Sequence, residues 1–342
     1  MRVGVDARHL AGGRGVAHYT SELLTALTTG FPGDEWRAFV PRRGPVAPSG
    51  QARLVRHPLP SRVLFGSAAL LGRPRLDRLV GGADVVWVPA PAPVAISRGV
   101  PYVLTVHDLS WLERPADFTP YERAWHRLAR VGRLVRRAAA VVAVSEATRR
   151  AVVARWPREV DVVRSGIPSL PPPGPRPAWL PQRYVLCVGA LEPRKAPDVL
   201  VTAVDGLDVD LVLAGGGRLA PRLRGERVHV VADADRTTLA TLYEHALALA
   251  LPSRLEGFGF TPLEAARAGV PVVATDLPVL DETLGDAALR VRRGEWREAL
   301  RTIVDDAALR ERLAARGREA AARFSWEAAA AEMHAILASA AR

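Results

Sequence analysis

A proline-dense run, Pro168-Ser-Leu-Pro-Pro-Pro-Gly-Pro-Arg-Pro177, divides the chain near its middle. Proline donates no backbone hydrogen bond and biases the residue before it away from helix, so such a run reads as an extended connector. On either side of it, short apolar segments alternate with helical ones. The first half opens with the strand-like Arg2-Val-Gly-Val-Asp6, the glycine-rich Ala11-Gly-Gly-Arg-Gly-Val16 and a helical pattern from Ala17 to Thr28. Apolar runs follow at Val85 to Val88, Tyr102 to Val106 and Ala139 to Val144. The second half repeats the alternation more regularly. Strands are predicted at Tyr184 to Leu191, Asp210 to Ala214, Val228 to Val231, Ala246 to Pro252 and Pro271 to Thr275. Helices are predicted at Asp198 to Val204, Thr237 to His245, Pro262 to Ala268, Glu295 to Arg318 and Ser325 to Ala341. Runs that are apolar throughout fit strands covered on both faces, and strand–helix alternation predicts parallel, doubly wound α/β domains.

A chain of 342 residues has room for two cores of about 150 residues each. The expected organisation is an N-terminal domain over 1–167, a proline-rich linker over 168–183 and a C-terminal domain over 184–323. A final helix over 324–342 is long enough to cross back to the first domain. No apolar run approaches the ~20 residues of a membrane span, and Met1 leads into a strand pattern rather than a secretion signal. A cytoplasmic protein is therefore expected. The lone Cys187 lies inside an apolar strand and allows neither an internal disulfide nor a cysteine metal cluster.

The net charge of +11 is unevenly spread: residues 1–170 carry 25 Arg against 13 acidic residues, and residues 171–342 carry 22 basic against 23 acidic. A basic half suits an anionic ligand, an anionic membrane surface or nucleic acid. The only lysine is Lys195, which points to a position where a compact ammonium is wanted in place of a guanidinium.

The most informative segment is Leu251-Pro-Ser-Arg-Leu-Glu-Gly-Phe-Gly-Phe-Thr-Pro-Leu-Glu-Ala265. A strand ends, a loop presents Glu256 between flexible glycines, and Pro262 marks a first helical turn, so free backbone N–H groups face the crevice where a phosphate would sit. Glu256 falls near a bound sugar, whereas Glu264 is placed to accept two hydrogen bonds from a ribose diol. The bland alternatives are a solvated loop carboxylate and one that complements a helix dipole.

This segment resembles the E-x7-E motif of retaining glycosyltransferase family 4, with Glu256 and Glu264 as its carboxylates and Gly257-Phe-Gly-Phe-Thr261 between them. Val188-Gly-Ala-Leu-Glu-Pro-Arg-Lys195 is similar to the family's Gly-x-x-Glu-Pro-Arg-Lys loop, and Gly215-Gly-Gly217, Pro252-Ser253 and Pro271-Val-Val-Ala-Thr275 follow in the family's order. The resemblance implies the GT-B fold, two Rossmann-like domains facing each other across a cleft. It also implies a nucleoside-diphosphate sugar as co-substrate, bound by Gly15, Gly189, Arg194, Lys195, Gly216, Val231, Glu256, Gly257, Phe258, Gly259, Phe260, Thr261 and Glu264. Arg194 and Lys195 would stabilise the departing diphosphate, whose charge grows in the transition state. Many members carry arginine directly after the strand glycine; Ala190 stands there in this chain, leaving Arg194 as the arginine of the phosphate site.

In the first half, Tyr102-Val-Leu-Thr-Val-His-Asp108 delivers His107 to the carboxyl end of a strand, where the family's histidine lies by the transferred sugar. The implied catalytic set is His107, Glu256, Arg194 and Lys195, and the acceptor side falls to Gly13, Arg14, His18 and Asp108. The opening Val-Gly-Val-Asp-Ala-Arg and the Leu-Glu-Pro-Arg-Lys variant look most like members that use GDP-mannose or related GDP-deoxysugars, with UDP- and dTDP-sugars also open. Acceptors in reach are a glycan, a glycolipid or a small natural product.

No metal or other cofactor is expected. Asp208-Val-Asp210 matches the metal-binding string of a different transferase architecture but enters its strand from the amino end. Between Tyr121 and Arg137, Arg123, Arg127, Arg130, Arg133 and Arg137 recur at helical spacing, a stripe able to dock peripherally on the inner face of a membrane or to serve as a solvated face. Two other functions stay open, a nucleotide-sugar epimerase of the same fold and a basic nucleic-acid-binding protein. The second lacks any helix with interleaved base-reading residues.

Overall fold

The computed structural model describes residues 1–11, 15–40, 42, 50–292 and 294–342. They form two units, Met1–Gly166 with Phe324–Arg342, and Ile167–Arg323.

The first unit contains a seven-stranded parallel sheet: β1 (Arg2–Asp6), β2 (Glu35–Val40), β3 (Arg53–Arg56), β4 (Val85–Val88), β5 (Tyr102–Val106), β6 (Ala140–Ala143) and β7 (Asp161–Val162), in the order β3-β2-β1-β4-β5-β6-β7. Every residue of β4 and β5 is buried, which explains their unbroken apolar sequences. Trp87 in β4 is fully buried yet satisfied, its indole N–H donating to Thr105 Oγ1 at 3.1 Å. Each large side chain enclosed in this way contributes about 1.5–3 kcal/mol of apolar transfer.

The second unit holds β8 (Tyr184–Val188), β9 (Asp210–Ala214), β10 (Val228–Val231), β11 (Ala248–Leu251), β12 (Val272–Thr275) and β13 (Ala288–Val291), ordered β10-β9-β8-β11-β12-β13 and parallel throughout. Its core gathers Leu186-neighbouring strand residues Val185, Cys187, Leu211 and Leu213 under helix residues Leu200, Leu300 and Ile303. Burial pushes the Cys187 thiol up to about 12, as an inert structural thiol requires.

Both sheets turn back beside their first strand, where β4 pairs with β1 and β11 pairs with β8. At such a point successive connections diverge to opposite faces and leave a crevice outside the carboxyl ends of the strands. The loops after β8 and β11 border that crevice in the second unit, and those after β1 and β4 in the first.

Three expectations are corrected. The 168–183 segment is not a free linker: it belongs to the second unit, where Gly174 N donates to Thr241 Oγ1 at 2.8 Å and Arg236 Nη2 donates to the Ser169 carbonyl at 2.5 Å. Its prolines leave carbonyls without local partners, and side chains of the neighbouring helix supply them. The basic stretch is two helices, Pro120–Ala129 and Val131–Arg137, separated by Arg130 at φ 48°. The stretch from Glu295 is likewise two helices, Trp296–Asp305 and Ala307–Ala321, because Asp306 accepts from Leu309 N at 2.8 Å and caps the second.

The last helix, Trp326–Ala340, packs on helix Gly15–Gly30 of the first unit. His334 stacks flat on Phe31 with ring centroids 3.5 Å apart, and its Nε2 meets Asp34 Oδ2 at 2.7 Å. Asp34 also accepts from the Met1 ammonium at 2.6 Å, and these partners hold its carboxyl below the usual carboxylate range against the opposing effect of burial.

Candidate active site

In the second unit the switch-point loops lie beside one another through backbone hydrogen bonds. Gly189 N donates to the Ala214 carbonyl at 2.9 Å, Leu191 N to Gly216 O at 2.9 Å and Gly215 N to Val231 O at 2.9 Å. Gly215 and Gly217 are obligatory here: at φ 144° and 157°, a Cβ on either would lie 2.1 Å from Gly189 O or 2.4 Å from Leu191 O. This close seam carries the chain into the short 3-10 turn Pro193–Lys195, and Arg254 N, in the loop after β11, donates to the Arg194 carbonyl at 2.9 Å. The loops after β8 and β11, the two strands that flank the switch point, are thus joined.

Their charged side chains meet as well. Lys195 Nζ donates to Glu256 Oε1, and both side chains are mostly buried, 18% and 10% exposed. The structure brings together two residues that the sequence had assigned to different parts of the donor. An ammonium has three N–H donors, so two remain for other oxygens. Among the described residues no carboxylate pairs with Arg194, which leaves a guanidinium and an incompletely used ammonium at one strand end. Such a site is built for an anion.

Gly259, at φ 91°, starts the helix Phe260–Arg267 two residues earlier than the sequence pattern indicates. Phe258 is buried and packs edge-on against Phe260 at 5.3 Å. Glu264 consequently lies in the second turn, buried, not at the helix start. Desolvation raises its carboxyl to about 6, opposed by Arg236, Arg267 and Tyr243. Tyr243 O–H reaches Glu264 Oε2 and the Thr261 carbonyl, each at 3.4 Å, and Arg236 Nη1 lies 3.6 Å from Glu264 Oε1. Arg236, Tyr243 and Arg267 escaped the sequence reading, since nothing local ties them to the E-x7-E segment.

In the first unit, His107 follows β5 and is half-buried. Its Nε2 lies 2.8 Å from the Pro89 carbonyl, and a carbonyl only accepts, so Nε2 carries the proton and Nδ1 offers a lone pair. Desolvation lowers its pKa to about 4; the imidazole is neutral at physiological pH. Tyr19 stands edge-on to the ring at 4.7 Å. Asp108 is turned to local structure, its Oδ1 accepting from Ser110 N and Oγ at 2.9 and 2.6 Å. Gly15 begins the helix that contains His18, whereas Gly13 and Arg14 lie outside the described residues.

Asp208 and Asp210 stand at the amino end of β9, engaged by Arg183 at 2.9 Å and His229 at 2.9 Å. That is the end of the strand opposite the switch-point loops.

Residues 13–169 match the model described as Glycosyltransferase Family 4, and residues 177–320 match that of glycosyl transferases group 1. A D-inositol 3-phosphate glycosyltransferase from Jonesia denitrificans is 30% identical, with 83% of this chain and 78% of that protein covered. The chain belongs to glycosyltransferase family 4. A D-inositol 3-phosphate glycosyltransferase of Mycobacterium tuberculosis is 36% identical over half of this chain and 42% of its own length. Among solved structures, sucrose-phosphate synthase from Thermosynechococcus elongatus superposes with a TM-score of 0.78 at 20% identity, covering 99% of this chain and 98% of that one. WaaG, a glycosyltransferase involved in lipopolysaccharide biosynthesis, gives 0.68 at 16% identity, with 98% and 99% covered. HepE from Anabaena, solved in complex with UDP and glucose, gives 0.67 at 18% identity, with 99% of each chain covered. The fold of this family 4 glycosyltransferase is thus of the GT-B type, two Rossmann-like parallel-sheet units.

Proposed function

We propose that this glycosyltransferase moves a hexose or deoxyhexose from a nucleoside diphosphate to an acceptor hydroxyl, without a metal ion and with retention of the anomeric configuration. The observation that carries this reading is the Lys195–Glu256 pair beside Arg194, which pairs with no carboxylate among the described residues, in the loops that flank the second unit's switch point. In this reading the bond from the sugar's anomeric carbon to the β-phosphate oxygen breaks, and the acceptor oxygen attacks the same face. The acceptor proton passes to the leaving β-phosphate oxygen. Arg194 and the two free donors of Lys195 hold the diphosphate, with more effect as its charge grows. Lys195 also keeps Glu256 oriented toward the sugar hydroxyls, and Glu264 receives the ribose diol. His107, neutral, offers Nδ1 to a sugar hydroxyl. The cations supply the charge stabilisation that a metal would otherwise provide.

GDP-mannose is the donor class that the sequence favours, with UDP-hexoses the competing class. A phosphorylated polyol is a natural acceptor candidate, since the relatives named above act on one and the first half of the chain is rich in arginine. A contact with the inner face of a membrane is part of the same proposal. Arg123, Arg127, Arg130, Arg133 and Arg137 are exposed, and the neighbouring helix Ser61–Leu71, joined to them by the Phe65–Trp125 ring contact, exposes Leu70 and Leu71. No described helix is long and apolar enough to cross a membrane. A thermal-shift panel of GDP, UDP, ADP and dTDP, followed by anomeric analysis of the product, tests the reading. Stabilisation by one nucleoside diphosphate and a retained anomer are expected. No response to any nucleotide, or an inverted product, would overturn it.

A further inference from the structure

Two arginines flank Glu264, and both also grip the segment at which the chain enters the second unit. Arg236 Nη1 lies 3.6 Å from Glu264 Oε1, while its Nη2 donates to the Ser169 carbonyl at 2.5 Å. Arg267, one turn beyond Glu264 on the same helix, donates through Nη1 to the Ile167 carbonyl at 2.9 Å and through Nη2 to that of Pro168. Three consecutive carbonyls therefore end on two guanidiniums whose charges both act on one buried carboxylate. The unit boundary falls directly before them, between Gly166 and Ile167.

Gly166 is held just as closely from the first unit. A Cβ there would lie 2.4 Å from Trp326 N and 2.5 Å from its ring, so no larger residue fits. Trp326 follows Phe324, where the chain returns to the first unit. The Trp326 ring stands edge-on to Tyr19 at 6.1 Å, and Tyr19 stands edge-on to His107 at 4.7 Å. Gly166 is thus fixed against residues of the first unit that pack on the ring next to His107.

We infer that Arg236 and Arg267 are positioning residues that make the connector at 167–169 respond to occupancy of Glu264 by the donor. The inference rests on the reading of Glu264 as the ribose ligand. Ribose hydroxyls that donate to the carboxylate fix its orientation, and a fixed carboxylate holds the guanidiniums beside it in place. The guanidinium forks hold carbonyls that a proline-rich backbone cannot satisfy by itself. Coupling of this kind is reciprocal, so an ordered connector in turn favours the donor.

Hydrogen–deuterium exchange over residues 164–172, with and without UDP and GDP, tests this on the full chain. Ile167, Ser169 and Leu170 carry the reporting amides, since proline has none. In the wild type, the nucleotide that binds slows their exchange several-fold. Arg236→Gln and Arg267→Gln, each checked for an unchanged unfolding transition and for nucleotide binding by calorimetry, bind the nucleotide but lose the connector response. Arg236→Lys keeps the charge without the fork, recovers nucleotide affinity and leaves the connector unresponsive. Nucleotide binding to the wild type without a change at 167–170, or an equal change in the glutamine variants, overturns the inference alone. Absence of any calorimetric signal with the wild type overturns the donor reading together with it.

Discussion

The two sheets share one strand order through their first six strands, yet the loops at their switch points meet charge in opposite ways. Beside β1, Arg8 donates twice to Asp6, at 2.7 and 2.6 Å, with both side chains buried and the guanidinium 3.7 Å from the Phe65 ring centroid. His107 nearby is neutral. Beside β8, Lys195 is shared with a single carboxylate and Arg194 pairs with none among the described residues. Among the described residues, the half of the chain with the large positive excess pairs the arginine after its first strand with a buried carboxylate, and the half with almost no net charge leaves Arg194 without one. Net charge describes the surfaces of these units; placement of a few side chains at strand ends describes their ligands.

Removing either partner of the Asp6–Arg8 pair gives the largest effect in this comparison. Asp6→Ala leaves a buried, unpaired guanidinium and is expected to cost about 3–5 kcal/mol of stability. Chemical denaturation would read this; a loss near that of an exposed ion pair would mean that the first crevice is not sealed. Lys195→Ala leaves Glu256 unpaired but less deeply buried, so it should cost less stability than Asp6→Ala, and it should lower kcat by roughly 10²–10³, the usual cost of one preorganised donor at a developing anion. A variant that lost only affinity for the donor, with kcat intact, would show that Lys195 binds ground and transition states equally.

The next effect is a pH dependence. Glu264 has a carboxyl raised to about 6 from an ordinary value of 4.5. The folded state therefore holds that proton more tightly, and the stability it contributes is complete below about 4.5 and lost as pH rises through about 6. Nucleotide binding runs the other way, because the ribose diol needs the ionised carboxylate. Affinity should rise roughly tenfold from pH 5 to pH 7, following the ionised fraction, and Glu264→Gln should flatten the profile. The groups facing Glu264 are Arg236 and Tyr243 of one helix and Arg267 of its own, with Arg318 of helix Ala307–Ala321 against Gly269 beyond. A slope persisting in the glutamine variant would assign it to another group. The smallest effect concerns the returning helix. His334→Ala removes the stack on Phe31 and the contact with Asp34, at about 1 kcal/mol, measurable by thermal unfolding.

Strands buried on both faces were legible from composition alone: Val85–Val88, Tyr102–Val106 and Asp210–Ala214 begin and end where the apolar runs do, and so does the partly buried edge strand Val228–Val231. The outer strands of the first unit were not. Glu35–Val40 and Arg53–Arg56 alternate or expose charged residues, and Asp161–Val162 is two residues long, so none presents a continuous apolar run. Helix breaks were hidden for a different reason. Arg130 adopts a left-handed conformation that arginine does not favour, so its residue type does not announce the break.

By itself the sequence determined the alternating α/β plan, the glycines without which the β8 and β9 loops could not touch, and the residue types at the ends of the switch-point strands. These depend on local sterics and on burial period, which each segment carries with it. Only the tertiary structure decided that Lys195 spends one hydrogen bond on Glu256, that Glu264 is buried under Arg236 and Tyr243, and that the proline-rich segment belongs to the second unit. Those outcomes join residues far apart along the chain, and their energies exist only once the desolvated groups have been brought within a few ångströms of one another.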